Sequence, residues 1–105
     1  MLLNKIFKKV LVLCPHTDDE FGCAGSMLKL IEQGSEIHYF ALSRCEASVP
    51  KGFGKNILYK ECKKAVQAIG VKDKNIKIGN YRVRYFHEHR QDILEEFVTI
   101  NNELK

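Results

Sequence analysis

The apolar run Val10-Leu11-Val12-Leu13-Cys14 ends abruptly in Pro15-His16-Thr17-Asp18-Asp19-Glu20. Consecutive apolar residues of this kind suit a strand covered on both faces, as in a parallel sheet. Pro15 stops the strand because it has no amide hydrogen to donate. Beyond the polar turn, Phe21, Ala24, Leu28 and Ile31 recur at helical spacing. That helix runs to about Gln33, and Gly34 ends it as a glycine just past a helix does. Ile37 to Leu42 follows as a second strand, rich in residues that favour extended backbone. Strand, helix and strand with short links make a βαβ unit with parallel strands and a right-handed crossover. One imidazole and three carboxylates are thereby gathered at the carboxyl end of the first strand. Open α/β sheets bind their ligands at that edge.

The rest of the chain continues the alternation. Ser43 to Lys55 contains Pro50, Gly52 and Gly54 without periodicity, and reads as a loop leaving the same edge. Ile57 to Ile69 reads as a second helix with Leu58, Cys62, Ala65, Val66 and Ile69 on one face, closed by Gly70. Ile76 and Ile78 mark a short third strand. Tyr81-Arg82-Val83-Arg84-Tyr85 alternates, which predicts an extended segment with one wet face. Gln91 to Leu104 reads as a third helix, buried along Ile93, Phe97, Ile100 and Leu104. The expected fold is one α/β domain over residues 1–105, Rossmann-like, with three α/β/α layers around a mostly parallel sheet. Such a domain normally continues into further strands, so the chain is expected to be the amino-terminal portion of a longer one. An incomplete sheet has an open edge, which makes a homo-oligomer an expectation too.

Composition narrows the function. Of the 105 residues 29% are charged, and the net charge of +4 comes mostly from scattered lysines. Nucleic-acid binding calls for a basic stripe with interleaved aromatics. Only Arg82, Arg84, Tyr85 and Phe86 have that style, so no nucleic-acid partner is expected. No apolar run approaches membrane-spanning length. Cys14, Cys23, Cys45 and Cys62 show no CxxC spacing. They fit reduced, packed thiols in a cytoplasmic protein.

The polar turn carries the chemistry. An imidazole and a carboxylate three residues apart can reach one ion, and zinc accepts both donors. Catalytic zinc sites use three protein ligands and keep a position open. A neighbouring carboxylate can then act as general base. Asp18 and Asp19 offer that division of labour. The same residues also suit an ordinary helix start, with Thr17 and Glu20 forming a capping box and the aspartates in the first turn. The pattern alone leaves both open, although the second gives His16 no task.

The turn PHTDDE after a hydrophobic strand resembles the PHPDDE signature of the PIG-L/LmbE-like zinc-dependent N-deacetylases. Gly22 and the helix to Gly34 are similar to that family's first helix. Glu61, Ala65, Ile69 and Gly70 resemble its ExxxAxxxLG pattern. The likeness spans about residues 10 to 105. It implies a Zn2+ cofactor held by His16 and Asp19, with Asp18 as catalytic base. It also implies an acetylated amino-sugar substrate, usually N-acetylglucosamine joined to another group. Thr17 stands where the signature has proline. The family's third ligand is a histidine of a later HxDH-like motif, which this chain does not contain. His87-Glu88-His89 is the only local substitute, and a wet turn is its simpler home. His38 lies mid-strand and reads as a satisfied buried histidine or a surface-face residue. Arg44 and Glu46 leave the second strand at the same edge as His16, with Arg44 the candidate substrate contact.

Other readings remain. A receiver-type signalling module also has paired aspartates after its first strand, but needs an aspartate at the end of the third, where Gly79 and Asn80 stand. A nucleotide-binding α/β module would place a glycine-rich turn, not carboxylates, after the first strand. A truncated, non-catalytic relative of the deacetylases is the remaining alternative.

Overall fold

The structure is a computed structural model that describes residues 7–17 and 22–104. Its elements are β1 (Lys9–Cys14), α1 (Ala24–Glu32), β2 (Glu36–Ala41), α2 (Ile57–Ile69), β3 (Ile76–Ile78) and α3 (Arg90–Leu104). The strands form one parallel sheet in the order β1-β2-β3. Lys9 stands opposite Glu36 and Cys14 opposite Ala41, while Tyr39 to Ala41 face Ile76 to Ile78.

The pleat of the central strand explains the layering. Ile37, Tyr39 and Ala41 point to one face, where they join Met27 of α1 and Cys62 and Val66 of α2 in the core, with Val10, Val12 and Cys14 of β1. Phe40 points to the other face and meets Phe97 of α3 edge-on, with ring centroids 6.1 Å apart. Both Tyr39 and Phe40 are almost fully buried, which only a strand covered on both sides allows. Three α/β/α layers result. Full burial of side chains such as Met27, Phe40 and Val66 contributes about 1.5–3 kcal/mol each, enough to fix where the helices dock. The buried Tyr39 hydroxyl accepts a weak hydrogen bond from the Cys62 thiol at 3.7 Å. Burial, and secondarily these thiol neighbours, push its pKa upward, so the phenol is neutral and acts as core.

Both sheet-facing helices on that side end as expected. Gly34 (φ +94°) and Gly70 (φ +119°) take the left-handed conformation that a Cβ disfavours. Gly34 N–H donates to Ile31 C=O and Ser35 N–H to Leu30 C=O, while Gly70 N–H donates to Gln67 C=O and Val71 N–H to Val66 C=O. These are paired Schellman closures, which turn the chain back into the next strand.

Three expectations need correction. The first helix begins at Ala24, with Cys23 at its cap. Thr17 is therefore not its N-cap, and Glu20, its expected capping partner, lies outside the described residues. The buried stripe of α1 is also turned. Met27, Leu30 and Ile31 pack on the core with Cys23, whereas Leu28 is 46% exposed. Apolar residues at 27, 28, 30 and 31 make a stripe broad enough for either edge to face inward, and the fit against β2 selects Met27. Finally, Tyr81–Tyr85 is no strand. Tyr85 N–H donates to Arg82 C=O at 3.1 Å and Arg84 has φ +73°, so the chain turns there. A 3-10 turn, Phe86–His89, then leads into α3.

Leu13 on β1 and Leu94 and Val98 on α3 are each about half exposed. No helix among the described residues is long and apolar enough to cross a membrane.

Candidate functional site

The carboxyl ends of the three strands are tied into one edge. Leu42 N–H donates to Cys14 C=O at 2.9 Å, Gly79 N–H to Ala41 C=O at 2.8 Å, and Tyr81 N–H to Leu42 C=O at 3.1 Å. The turns after β1, β2 and β3 therefore start along a common line. Gly79 is required there, because a Cβ would meet the Leu42 carbonyl oxygen at 2.8 Å.

His16 is half-buried at this edge, two residues past β1, and Thr17 beside it is buried. The His16 ring lies 6.1 Å from that of Phe86 at an interplanar angle of 33°. The turn ahead of α3 is thus brought against the first motif, a meeting that the sequence reading missed. An aromatic residue in a polar turn was the available signal. Asp18 and Asp19 lie outside the described residues. Among the described residues there is no group of three His, Cys, Asp or Glu arranged to hold a metal ion.

The other histidines have local neighbours. His89 packs on Tyr81, with ring centroids 5.5 Å apart, and its Nδ1 is 4.0 Å from an Asp92 carboxylate oxygen. His87 is exposed and lines an open groove of about 440 Å³ with Leu42, Phe86, Arg90 and Leu94. His38 Nε2 lies 3.0 Å from Glu36 Oε2, the satisfied state expected of it, and this contact holds the Glu36 carboxyl below its usual range.

Arg44 sets its guanidinium 4.6 Å over the Tyr59 ring and donates from Nη2 to Ile78 C=O at 3.5 Å. It thereby links the loop after β2 to α2 and to the end of β3. Cys45 next to it takes a left-handed φ of 56°, and its amide donates to Ser43 Oγ at 3.0 Å. Beyond this corner, Ser43, Glu46, Asn80, Tyr81, Arg82 and Val83 line a cleft of about 260 Å³ between the loops after β2 and β3. Tyr81 donates a hydrogen bond to a Glu96 carboxylate oxygen, which raises its pKa to about 12. Glu96 also pairs with Lys77 at 3.1 Å.

A half-buried histidine at the carboxyl edge of a parallel sheet, followed by two aspartates, coincides with a family match over residues 11–105, described as PIG-L, GlcNAc-PI de-N-acetylase. The chain belongs to the PIG-L family. Among solved structures it is similar to the N,N'-diacetylchitobiose deacetylase from Pyrococcus horikoshii, with 29% identity and a TM-score of 0.65. That likeness covers 82% of this chain and 35% of the other, so the chain spans about a third of that deacetylase's length. No match was found among curated proteins. The PIG-L assignment sets aside the signalling and nucleotide-binding readings.

Proposed function

We propose that this chain carries the first part of the active site of a zinc-dependent N-deacetylase acting on an N-acetylglucosamine-type amino sugar. The family match across the His16-to-Asp19 turn supports this reading most directly. The donor chemistry of that turn suits zinc, since imidazole nitrogen and carboxylate oxygen are both ordinary ligands of the ion. His16 and Asp19 are the proposed ligands, with a third supplied from outside this chain. Zinc, when bound, supplies Lewis-acid polarisation of an amide carbonyl and lowers the pKa of water to about 7.

The chain's own residues then have separable tasks. Asp18, as general base, takes the proton from the attacking water and returns it to the departing amine. The C–N bond breaks, giving acetate and a free amino sugar. Phe86 lies beside the His16 ring, 6.1 Å away and tilted by 33°. The cleft between the loops after β2 and β3 is the proposed seat of the sugar. Glu46 accepts hydrogen bonds there, Asn80 accepts and donates, and Arg82 donates. Arg44, at the same edge, completes the proposed contacts.

A zinc titration by calorimetry of the 105-residue chain and its His16→Ala variant tests the assignment. With two of three ligands in this chain, weak zinc binding is expected that weakens further in the variant. Equal affinity of the two proteins would overturn the metal role of His16.

A further inference from the structure

The two edges of the sheet are unlike. β3 is three residues long and carries Lys77 at its centre, a common way of blunting an edge. β1 is six residues long and has no proline, glycine or charge after Lys9. The direction of its free hydrogen-bonding groups follows from its contacts with β2. Glu36 N–H donates to Lys8 C=O, and Leu42 N–H donates to Cys14 C=O. The even-numbered residues of β1 therefore bond β2, and the amides and carbonyls of Lys9, Leu11 and Leu13 point to the open edge. Among the described residues, these three make no backbone hydrogen bond outside the strand ladder.

Both faces beside that edge are apolar. Val10, Val12 and Cys14 belong to the core on one face. On the other, Leu13 is half exposed, because α3 sits over β2 and β3: Phe97 packs on Phe40, and Glu96 reaches Lys77. An α-helix has 3.6 residues per turn. Leu94 and Val98, two places either side of Glu96, thus lie on the flank of α3 turned away from β3, and both are half exposed. The open backbone edge and the bare apolar flank share one side of the molecule.

A strand that joins β1 must be apolar on both faces to continue both layers. β1 of a second copy meets that condition. Its charges favour the antiparallel direction, since Lys8 and Lys9 open the strand and Asp18-Asp19-Glu20 follow it in sequence. We propose that two copies of this chain pair through β1, antiparallel, with Leu11 opposite Leu11 and Lys9 opposite Leu13 of the second copy. This register places all three outward-pointing residues in hydrogen-bonded pairs. Centring the pair on Val12 would instead set Pro15, which lacks an amide hydrogen, against Lys9. A two-fold axis normal to the sheet keeps like faces together. Both α3 helices then flank the joint on one face, with Leu94 and Val98 turned toward it. The two His16 turns fall at opposite ends of the joint, so the pairing stands independently of the deacetylase reading.

Sedimentation velocity of the 105-residue chain over a concentration series, with oxidative cross-linking, tests this. A reversible dimer is expected. Leu13→Lys sets a positive charge against Lys9 of the second copy. Leu13→Glu removes the same apolar contact but offers Lys9 a partner. The lysine variant should therefore dimerise about tenfold more weakly than the glutamate variant. Leu11→Cys should link two copies on oxidation, because residues in a hydrogen-bonded antiparallel pair have Cα atoms about 5.5 Å apart, within disulfide reach. Leu13→Cys, offset from its counterpart by four residues, should not, and neither should the parent protein. A monomer throughout overturns the proposal and assigns the edge to a different strand. Equal dimerisation of the two charged variants, or cross-linking of Leu13→Cys in place of Leu11→Cys, overturns it as well.

Discussion

Phe86 lies with its ring 6.1 Å from that of His16, joining the turn ahead of α3 to the turn after β1 across 70 residues of sequence. Neither turn packs in this way by itself. The contact depends on α3 docking over Phe40 on one face of the sheet while β1 delivers His16 to the edge. Phe86→Leu should keep the fold but remove the ring current felt by His16. The imidazole protons of His16 would then shift in NMR spectra, while those of His38 stay in place. Unmoved His16 resonances would mean that the two rings do not meet in solution.

The two aspartates of the motif should separate by function. In the active enzyme, Asp18→Asn should keep zinc and lower turnover by a factor of about 10²–10⁴, the usual contribution of a general base. Asp19→Asn should instead weaken zinc binding. Metal analysis of the purified variants alongside acetate release checks both. Loss of zinc from Asp18→Asn would reverse the assignments.

Gly79 follows β3, and its amide donates to Ala41 C=O at the end of β2. Gly79→Ala forces a methyl group to 2.8 Å from the Leu42 carbonyl oxygen, which is backbone and cannot swing away. Such overpacking costs about 1–3 kcal/mol. Urea denaturation should show that loss, and Gly54→Ala, where a Cβ meets nothing within 4 Å, should not.

The Tyr81–Glu96 hydrogen bond sets an alkaline limit. It needs the phenol proton, and it raises the Tyr81 pKa from 10.0 to about 12. A pKa raised in the folded state stabilises the protein fully below the unfolded pKa, and that stabilisation is lost as pH climbs through the folded one. Stability from this pair should therefore hold below pH 10 and fall between about 10 and 12. Tyr81→Phe should lower the denaturation midpoint at neutral pH and narrow its gap to the parent protein as pH rises. A gap that stays constant across this range would rule out the linkage.

Local pattern was enough for much of the architecture. The run from Val10 to Cys14, the helix from Ile57 to Ile69 and the glycines at 34 and 70 each carry their own instruction: burial on both faces, a 3.6-residue apolar repeat, and a backbone that only glycine adopts easily. The motif turn was legible for the same reason, since its chemistry is contiguous in sequence. Other features were not local. The start of α1 at Ala24 escaped the reading, because a string of acidic residues signals a helix start without saying where it lies. Whether Met27 or Leu28 faces inward depended on the shape of β2. The alternation at Tyr81–Tyr85 looked extended, but hydrogen bonding of Tyr81 to Leu42 and the turn at Arg84 bend the chain into the site instead. The sequence by itself determined the succession of elements, the family and the turn that bears the histidine and aspartates. Only the tertiary structure decided that Phe86 meets His16 and that Arg44 is held by Tyr59 and Ile78, because each of these depends on groups far apart in the chain meeting at the edge of one sheet.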